Sequence, residues 1–392
     1  MMKGAPVKFA VVGIGNMGFS HVNNIRRTKD CILTAVCDIN PAQFCKLSDG
    51  IRKEIKCYIR SEECFRDENV DAVLIATPHY FHVPLAIEAM RAGKHVLVEK
   101  PIAVHKKDAE CLLREAAEHP ELVKTIMFNQ RTLHVHKKLK QLIDSGELGT
   151  LRRINWIVTD WFRPQHYYDS GDWRASWRGE GGGVLLNQCP HQLDLMQWFF
   201  GMPSKVRAAV KLGKYHNIEV EDEVNAYLEY ADGKTANFIS STGEAPGINR
   251  LEISSEKGLL TLEKGQLFFR RNEVETSEYS RTSKTFFTAP DCWECKIPVK
   301  TGGIIGHEAI IDNMVQTILG KSELIAPLEE GIRGLELGNA MLYSGLNETT
   351  VDLPLNSQAY SSMLDRLIGQ SRWVPKKAND CSVSADEFNQ SF

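Results

Sequence analysis

The sequence predicts an α/β plus α+β chain, in which a parallel sheet with helices precedes an open-faced, mainly antiparallel sheet. Up to about residue 128, apolar strand patterns alternate with helical patterns, as in βαβ units. A segment at 129–149 follows, with a helical pattern around 137–143, and beyond it long strands are joined by glycine turns, which indicates an antiparallel sheet. Helical patterns return at 307–319 and 329–347. We therefore predict one domain at 1–128, a second at 129–370, and a polar C-terminal tail at 371–392 that is disordered or lies on a neighbouring subunit.

The composition limits the classes of partner. The 47 basic and 50 acidic residues give a formal charge of -3, so the chain has no strong field to hold nucleic acid or an anionic membrane. No apolar run is long enough to span a bilayer. The ten cysteines are scattered without regular spacing, which favours reduced thiols in a cytoplasmic protein over a disulfide framework. We expect a cytoplasmic location and a small-molecule partner.

The first predicted strand runs into VVGIGNMG, in which Gly13, Gly15 and Gly18 complete the GxGxxG pattern. These glycines permit a tight turn, a close approach of backbone to a pyrophosphate, and packing of the following helix against the strand. Because the pattern lies between an apolar run and a helical one, it predicts a Rossmann domain that binds a dinucleotide.

Asp38 ends the second strand pattern, twenty residues after Gly18. A carboxylate at this place can accept hydrogen bonds from the ribose hydroxyls and repels a 2′-phosphate, which favours NAD over NADP. Asn40 or Lys46 are the residues that could still accommodate the phosphate of NADP. A glycine-rich turn in a sheet that binds no nucleotide is the structural alternative.

Two further strand ends point to the same crevice, because ligands of an open parallel sheet bind beyond the carboxyl ends of its strands. These are IATPHYFH at residues 75–82 and VLVEKP at residues 96–101. With the glycine turn they resemble the Gfo/Idh/MocA family of NAD(P)-dependent oxidoreductases, over about residues 7–355. The resemblance implies a Rossmann domain, an open-faced sheet domain and a dinucleotide lined by the TP, histidine and EKP positions. His79 stands where the family commonly has asparagine.

The predicted cofactor contacts share one location, the glycine turn and the strand ends beside it. They are Gly13, Gly15, Asn16, Met17, Gly18, Asp38, Thr77, Pro78, His82, Glu99, Lys100 and Gln130.

Lys100 is the predicted electrophile. Beside a nicotinamide, its ammonium can stabilise the alkoxide that develops on a substrate hydroxyl as the hydride leaves. Glu99 would face the nicotinamide or ribose, and Pro101 would shape the turn, with a cis Lys100–Pro101 bond consistent with it. The structural alternative is a solvated Glu–Lys pair before a proline that starts a helix.

A second catalytic group is expected from GGGVLLNQCPHQLDLMQWFFG, residues 181–201, where His191 and Asp194 recur at helical spacing and Gly201 closes the helix. In the family, this helix carries an aspartate and, four residues on, the histidine that acts as general base. The matching positions are Asn187 and His191, and we predict that both belong to the catalytic site. Pro190 is expected either to start a new helix or to kink one.

Asparagine at 187 cannot stabilise an imidazolium by charge. The pKa of His191 should therefore be low and set by like charge from Lys100 and oxidised nicotinamide. If Asn187 contacts His191, then Asn187→Asp should raise the acid limb of the rate profile for oxidation by about one pH unit.

The segment most suited to select a substrate is residues 155–183, which contains four of the seven tryptophans. Aromatic faces can stack on a sugar or polyol ring while planar donors bind its hydroxyls. We expect Trp156 to pack in the sheet, and Trp173 and Trp177 to lie in loops. The predicted substrate contacts are Trp161, Arg163, Tyr168, Trp173, Arg174, Asn187 and His191.

Cys292 and Cys295 have the spacing of half a zinc site, but no second pair or well-spaced histidines complete it. We predict no metal and place both cysteines in a loop or strand.

Three functions stay open from the sequence. The first is an NAD-dependent dehydrogenase of a sugar, glycoside or inositol, with Lys100 and His191 as acid/base pair. The second is a glycoside-processing enzyme that recycles bound NAD through transient oxidation of a 3-hydroxyl. The third is a non-catalytic nucleotide sensor, which has no use for Lys100 and His191. The open sheet also predicts a homodimer or homotetramer, because its free face must be solvated or paired.

Overall fold

The structure is a computed structural model that describes residues 5–170 and 173–374. The first part of the chain alternates strands and helices, as predicted. Its elements are β1 Val7–Val12, α1 Asn16–Arg27, β2 Cys31–Cys37, α2 Asp49–Glu54, β3 Lys56–Tyr58, α3 Ser61–Phe65, β4 Ala72–Ile75, α4 His82–Arg91, β5 His95–Val98, α5 Lys106–Ala117 and β6 Lys124–Ile126.

The remaining elements are mostly strands, with helices at both ends of the segment. They are α6 His134–Asp144, β7 Leu151–Val158, α7 Gln165–Asp169, α8 Val184–Asn187, α9 Pro190–Phe200, β8 Lys205–Leu212, β9 Glu221–Glu229, β10 Thr235–Ser241, β11 Asn249–Ser255, β12 Gly258–Glu263, β13 Gln266–Asn272, α10 Thr276–Thr282, β14 Cys292–Ile297, α11 Gly306–Ile318, α12 Gly331–Asn347, β15 Val351–Asp352 and α13 Ser357–Gln370.

The first six strands form a parallel sheet in the order β3-β2-β1-β4-β5-β6. Every residue of β4 and β5 is buried, because helices cover both faces of this sheet. The strand order reverses direction between β1 and β4, and a crevice opens at the carboxyl ends of strands at such a point. The Rossmann architecture predicted from the sequence is confirmed.

The second sheet has nine strands among the described residues, in the order β14-β13-β12-β11-β7-β10-β9-β8-β15. All its neighbours pair antiparallel except β7 and β10, which run parallel. Burial alternates along β9: Val224, Ala226 and Leu228 are buried, whereas Asn225 and Tyr227 are exposed. One face of the sheet therefore packs on helices, including α9 and α12, and the other faces solvent.

The helices near the C-terminus pack back onto the first sheet domain. Helix α11 contacts α1, and α12 and α13 contact α5. The predicted boundary at residue 128 falls between β6 and α6, and the helical patterns at 137–143, 307–319 and 329–347 correspond to α6, α11 and α12. No helix in the described ranges combines the length and apolar character needed to cross a membrane. Residues 375–392 of the predicted tail lie outside the described part of the chain.

Candidate functional site

The glycine turn lies between β1 and α1 at the carboxyl edge of the parallel sheet. Gly13 has a φ of +87°, and a Cβ there would stand 2.8 Å from the carbonyl oxygen of Ala76. A Cβ on Gly18 would overlap the carbonyl oxygen of Gly13. Gly15 occupies the N-cap of α1 and offers no side chain to its first-turn N–H groups, so these groups remain available to a phosphate. Asn16 and Met17 begin the helix.

Asp38 is fixed beside this turn by two main-chain hydrogen bonds. The N–H of Ile14 donates to its Oδ2 at 2.7 Å, and the N–H of Asn40 donates to its Oδ1 at 2.8 Å. The carboxylate therefore lies beside the glycine turn, and its contact with the ribose of a dinucleotide stays a prediction. Lys46 reaches the carbonyl oxygen of Ile14 at 3.4 Å, and burial lowers its pKa.

His82 joins the two strand-end loops that border the crevice. Its Nδ1 lies 2.7 Å from the carbonyl oxygen of Pro101, and its Nε2 lies 2.8 Å from that of Thr77. The side chain thus braces the turn that carries Lys100. Pro78 follows Thr77, whose hydroxyl is buried without a hydrogen-bond partner in the described structure and is available to a bound dinucleotide. These features fit NAD.

Glu99 points toward α1 from the end of β5. Its Oε1 lies 2.6 Å from Nε2 of His21, and its Oε2 accepts from the main-chain N–H of Lys100 at 3.0 Å. Burial alone would raise the pKa of Glu99, but the His21 hydrogen bond and the neighbouring charges lower it to about 2. The peptide bond between Lys100 and Pro101 is cis, as expected.

Lys100 connects the two sheet domains. Its Nζ donates to the main-chain oxygen of Asn187 at 2.9 Å. Burial lowers the pKa of Lys100, and the charge of Glu99 opposes that effect. The lysine that follows β5 is therefore held against the segment that carries the predicted base.

That segment folds as two short helices. Pro190 occupies the first turn of α9, so it starts a new helix, and Gly201 ends α9 with a φ of +78°. Asn187 ends α8, and His191 follows in the first turn of α9. The break places the two residues on different helices.

His191 is buried, with 3% of its surface exposed, and neither ring nitrogen has a hydrogen-bond partner among the described residues. Burial lowers its pKa well below the usual value, and the charge of Lys100 adds to this effect. At pH 7 the imidazole is neutral and can accept a proton.

The side chain of Asn187 makes no hydrogen bond to His191, contrary to the expectation on which the Asn187→Asp prediction depends. Its Nδ2 donates instead to Oε1 of Glu180. Glu180 is buried and also accepts from the N–H of Ala175 at 2.6 Å. Sequence reasoning missed this carboxylate, because only its contact with Asn187 marks it as part of the site.

The helical spacing of Asp194 and His191 suggested that both side chains belong to one catalytic face. Asp194 instead makes structural contacts. It accepts from Nε and Nη2 of Arg131, at 2.8 and 2.5 Å, and Arg131 also pairs with Glu330. This buried cluster joins α9 to the turns beside β6 and α12. The carboxylate of Asp194 is therefore engaged in structural contacts.

Gln130 lies in the 3-10 turn at 129–132, directly after β6. Its main-chain oxygen contacts Nδ1 of His136 at 2.8 Å, and the residue is half-buried.

The predicted substrate segment divides into a packed part and an open part. The guanidinium of Arg174 lies over the rings of Tyr167 and Trp173, at 4.6 and 4.7 Å, and that of Arg163 lies over Tyr167 and Trp161 at 5.2 and 5.4 Å. The ring of Trp173 meets that of His79 at 5.1 Å, which links this stack to the crevice.

Other aromatic residues of the segment are buried. Tyr168 donates to Oγ1 of Thr242 at 2.7 Å and is 4% exposed. Trp156 packs in the sheet, as predicted. Trp177 lies in a turn, as expected for a loop residue, but its ring is buried and packs in the interior.

No cluster of potential metal ligands occurs within residues 5–170 and 173–374. Cys292 and Cys295 lie on β14, in a strand as expected.

Two family models match the chain. One, described as an oxidoreductase family with an NAD-binding Rossmann fold, matches residues 7–126, and the other, described as the GFO/IDH/MocA C-terminal domain, matches residues 136–261. Myo-inositol 2-dehydrogenase of Thermotoga maritima is 28% identical over 260 residues, which are 64% of this chain and 74% of that protein. A glycosyl hydrolase family 109 protein of Shewanella baltica is 26% identical over 195 residues, 46% of this chain and 41% of that protein.

A similar fold occurs among solved structures. The WlbA dehydrogenase from Bordetella pertussis, in complex with NADH and UDP-GlcNAcA, is 25% identical, with a TM-score of 0.75. The match covers 90% of this chain and all of that one (100%).

Proposed function

Because the chain belongs to the GFO/IDH/MocA family of NAD-binding oxidoreductases, we propose that it transfers a hydride between NAD and a secondary alcohol of a sugar, glycoside or inositol. Lys100 and His191 are the proposed acid/base pair. NADP is disfavoured by the carboxylate of Asp38, which stands beside the glycine turn.

The observation that carries this proposal is the hydrogen bond by which Lys100 of the first domain reaches the segment of the second domain that carries His191. Lys100 reaches Asn187, four residues before His191, through a hydrogen bond of 2.9 Å. The charge of Lys100 lowers the pKa of His191, so the two groups lie within electrostatic range. A neutral imidazole can accept the proton of a substrate hydroxyl, and an ammonium can stabilise the oxygen that remains.

The proposed chemistry divides the work between cofactor and chain. When bound, NAD supplies the acceptor for the hydride. His191, neutral at pH 7, accepts the hydroxyl proton at a ring nitrogen. Lys100, in its ammonium form, donates a hydrogen bond to the same oxygen and stabilises the developing alkoxide.

The substrate class follows from the open part of the aromatic segment. Trp161, Tyr167 and Trp173 are half-buried, and the guanidinium groups of Arg163 and Arg174 lie over their rings. Such rings stack on the C–H faces of a sugar or polyol, while guanidinium donors bind its hydroxyls. The inositol and UDP-sugar relatives support the same class.

A panel of sugars, inositols and aryl glycosides, followed by absorbance of NADH, tests this proposal. We expect Lys100→Met and His191→Ala each to lower the oxidation rate by a factor of about 10² or more. Lys137→Met is the matched control, because this lysine is exposed on α6 and should leave the rate unchanged. Equal rates in all four proteins would contradict the assigned roles.

A second candidate is the processing of a glycoside through transient oxidation of its 3-hydroxyl, with the hydride returned and no net redox change. The likeness to a glycosyl hydrolase family 109 protein favours it. Purification with tightly bound NADH, and turnover without added cofactor, would support it. Release of free NADH in proportion to substrate consumed would exclude it.

We also propose a cytoplasmic location and assembly as a homodimer or homotetramer. Each of the nine cysteines in the described ranges is a free thiol, which fits a reducing compartment. The solvent-facing side of the second sheet is the surface on which two copies would associate.

A further inference from the structure

The catalytic segment contains a buried carboxylate that the dehydrogenase chemistry above does not use. Glu180 precedes α8 by four residues and is 2% exposed. Both of its oxygens are engaged, since Oε2 accepts from the N–H of Ala175 at 2.6 Å and Oε1 accepts from Nδ2 of Asn187. The two N–H donors offset the cost of burying this carboxylate and hold it in a fixed position.

Asn187 connects this carboxylate to the catalytic lysine. Its side-chain amide donates to Glu180, and its main-chain oxygen accepts from Nζ of Lys100 at 2.9 Å. The charge of Glu180 also raises the pKa of Lys100. Geometry and charge therefore both connect the carboxylate to the lysine.

We propose that Glu180 is a positioning residue that orients the side chain of Asn187 and places a negative charge near the ammonium of Lys100. The proposal rests on the assignment of Lys100 as the group that stabilises the substrate oxygen.

Other groups near Lys100 also shift its pKa, so they limit how far the loss of Glu180 can change it. Glu99 raises the pKa of Lys100, as Glu180 does, while burial, Arg174 and Arg163 lower it. Removal of Glu180 should therefore shift the pKa of Lys100 without abolishing its titration. The other titratable neighbours of Lys100 or Glu180 are His79, His82, Tyr168, Cys189, His191, Glu221 and His307.

The ionisation of Glu180 is consistent with this role. Burial raises the pKa of Glu180, and Arg174, the N–H of Ala175, the amide of Asn187 and Lys100 oppose this effect. Two N–H donors suit an ionised carboxylate, because a protonated one would direct its own hydrogen at a donor.

The test measures the pKa of Lys100 itself and needs no substrate. Competitive acetylation of the full chain with acetic anhydride, at a series of pH values and followed by peptide mass spectrometry, gives the pKa of this lysine. We expect Glu180→Gln to lower it by about one pH unit, the usual effect of losing one nearby opposite charge. The double variant Glu180→Gln with Asn187→Asp should restore it, because the carboxylate returns at position 187 next to a glutamine amide.

Glu219→Gln is the matched control. Glu219 accepts from the N–H of Trp177 at 2.8 Å and from Ser371 and Arg372, and not from Asn187 or Lys100, so the pKa of Lys100 should stay unchanged. An unchanged pKa in Glu180→Gln, or a lowered one that the double variant does not restore, would overturn the proposal.

The measurement also separates this inference from the proposed function. If Glu180→Gln does not fold, the double variant decides alone: a pKa like that of the wild type supports the proposal, and a lower one overturns it. Absence of dehydrogenase activity with every substrate would refute the proposed function and leave the pKa result standing.

Discussion

At the residue scale, the chemistry of the site depends on how burial and neighbouring charge set the pKa of His191. Both effects act in the same direction, since a buried imidazole loses hydration and Lys100 adds like charge. Because position 187 carries no carboxylate that would stabilise the imidazolium, nothing at this position opposes the neutral form.

We predict that the acid limb of the oxidation rate lies below pH 6.5, the ordinary pKa of histidine. A lowered pKa means that the neutral base persists as the pH falls, so the rate should decline only below that value. The measurement is the oxidation rate across about pH 5 to 8 with a substrate from the panel. A midpoint above 6.5 would show that His191 is not the base.

Asn187→Asp is the informative companion variant. The new carboxylate would face Glu180, and two carboxylates in contact share a proton rather than both ionising. We therefore expect the acid limb to stay in place, in contrast to the rise of one pH unit that the sequence alone predicted.

Sequence reasoning located residues that follow a strand or helix pattern and missed those defined by contacts distant in the chain. Lys100 and Asp38 were found because each ends a recognisable strand, and parallel strands bring their ends together. Glu180 was missed because its importance comes from Asn187 and Lys100, and no local pattern encodes that contact.

At the element scale, the periodicity of apolar residues predicted α6, α11 and α12 close to their observed bounds. It could not predict that β7 and β10 pair in parallel, since alternation looks the same in either direction. It also gave no sign that α11 packs on α1, because a helical pattern identifies a buried face and not its partner.

The Arg131–Asp194 pair is predicted to hold these elements together. Both side chains are 1% exposed, so Asp194→Asn should destabilise the chain by about 3 kcal/mol or more, because Arg131 would lose its buried counter-charge. Urea unfolding measures the change. Asp144→Asn, which breaks the more exposed pair with Lys140, should cost less than about 1 kcal/mol. Similar losses in both variants would contradict this account.

At the scale of the whole molecule, the second sheet leaves one broad face in contact with solvent. Half-buried Ile157 and Ile239 and exposed Tyr227 lie on this face, among polar residues. Such a face is suited to pairing with a second copy.

We predict a mass of at least two chains by light scattering at micromolar concentration. Ile239→Arg should reduce it, because an unpaired charge would be buried between the copies. Ile304→Arg, at an exposed site outside the sheet, is the control and should leave it unchanged. A monomeric mass for the wild type would contradict assembly through this face.

The most direct test of the central claim follows the hydride itself. A substrate from the panel is deuterated at the carbon that carries the reacting hydroxyl, and the nicotinamide is analysed by mass spectrometry after incubation with the wild-type protein and with His191→Ala. The account predicts deuterium in the nicotinamide with the wild type, and at least about a hundredfold less with the variant. Absence of label with every compound of the panel, or equal labelling by both proteins, would contradict it.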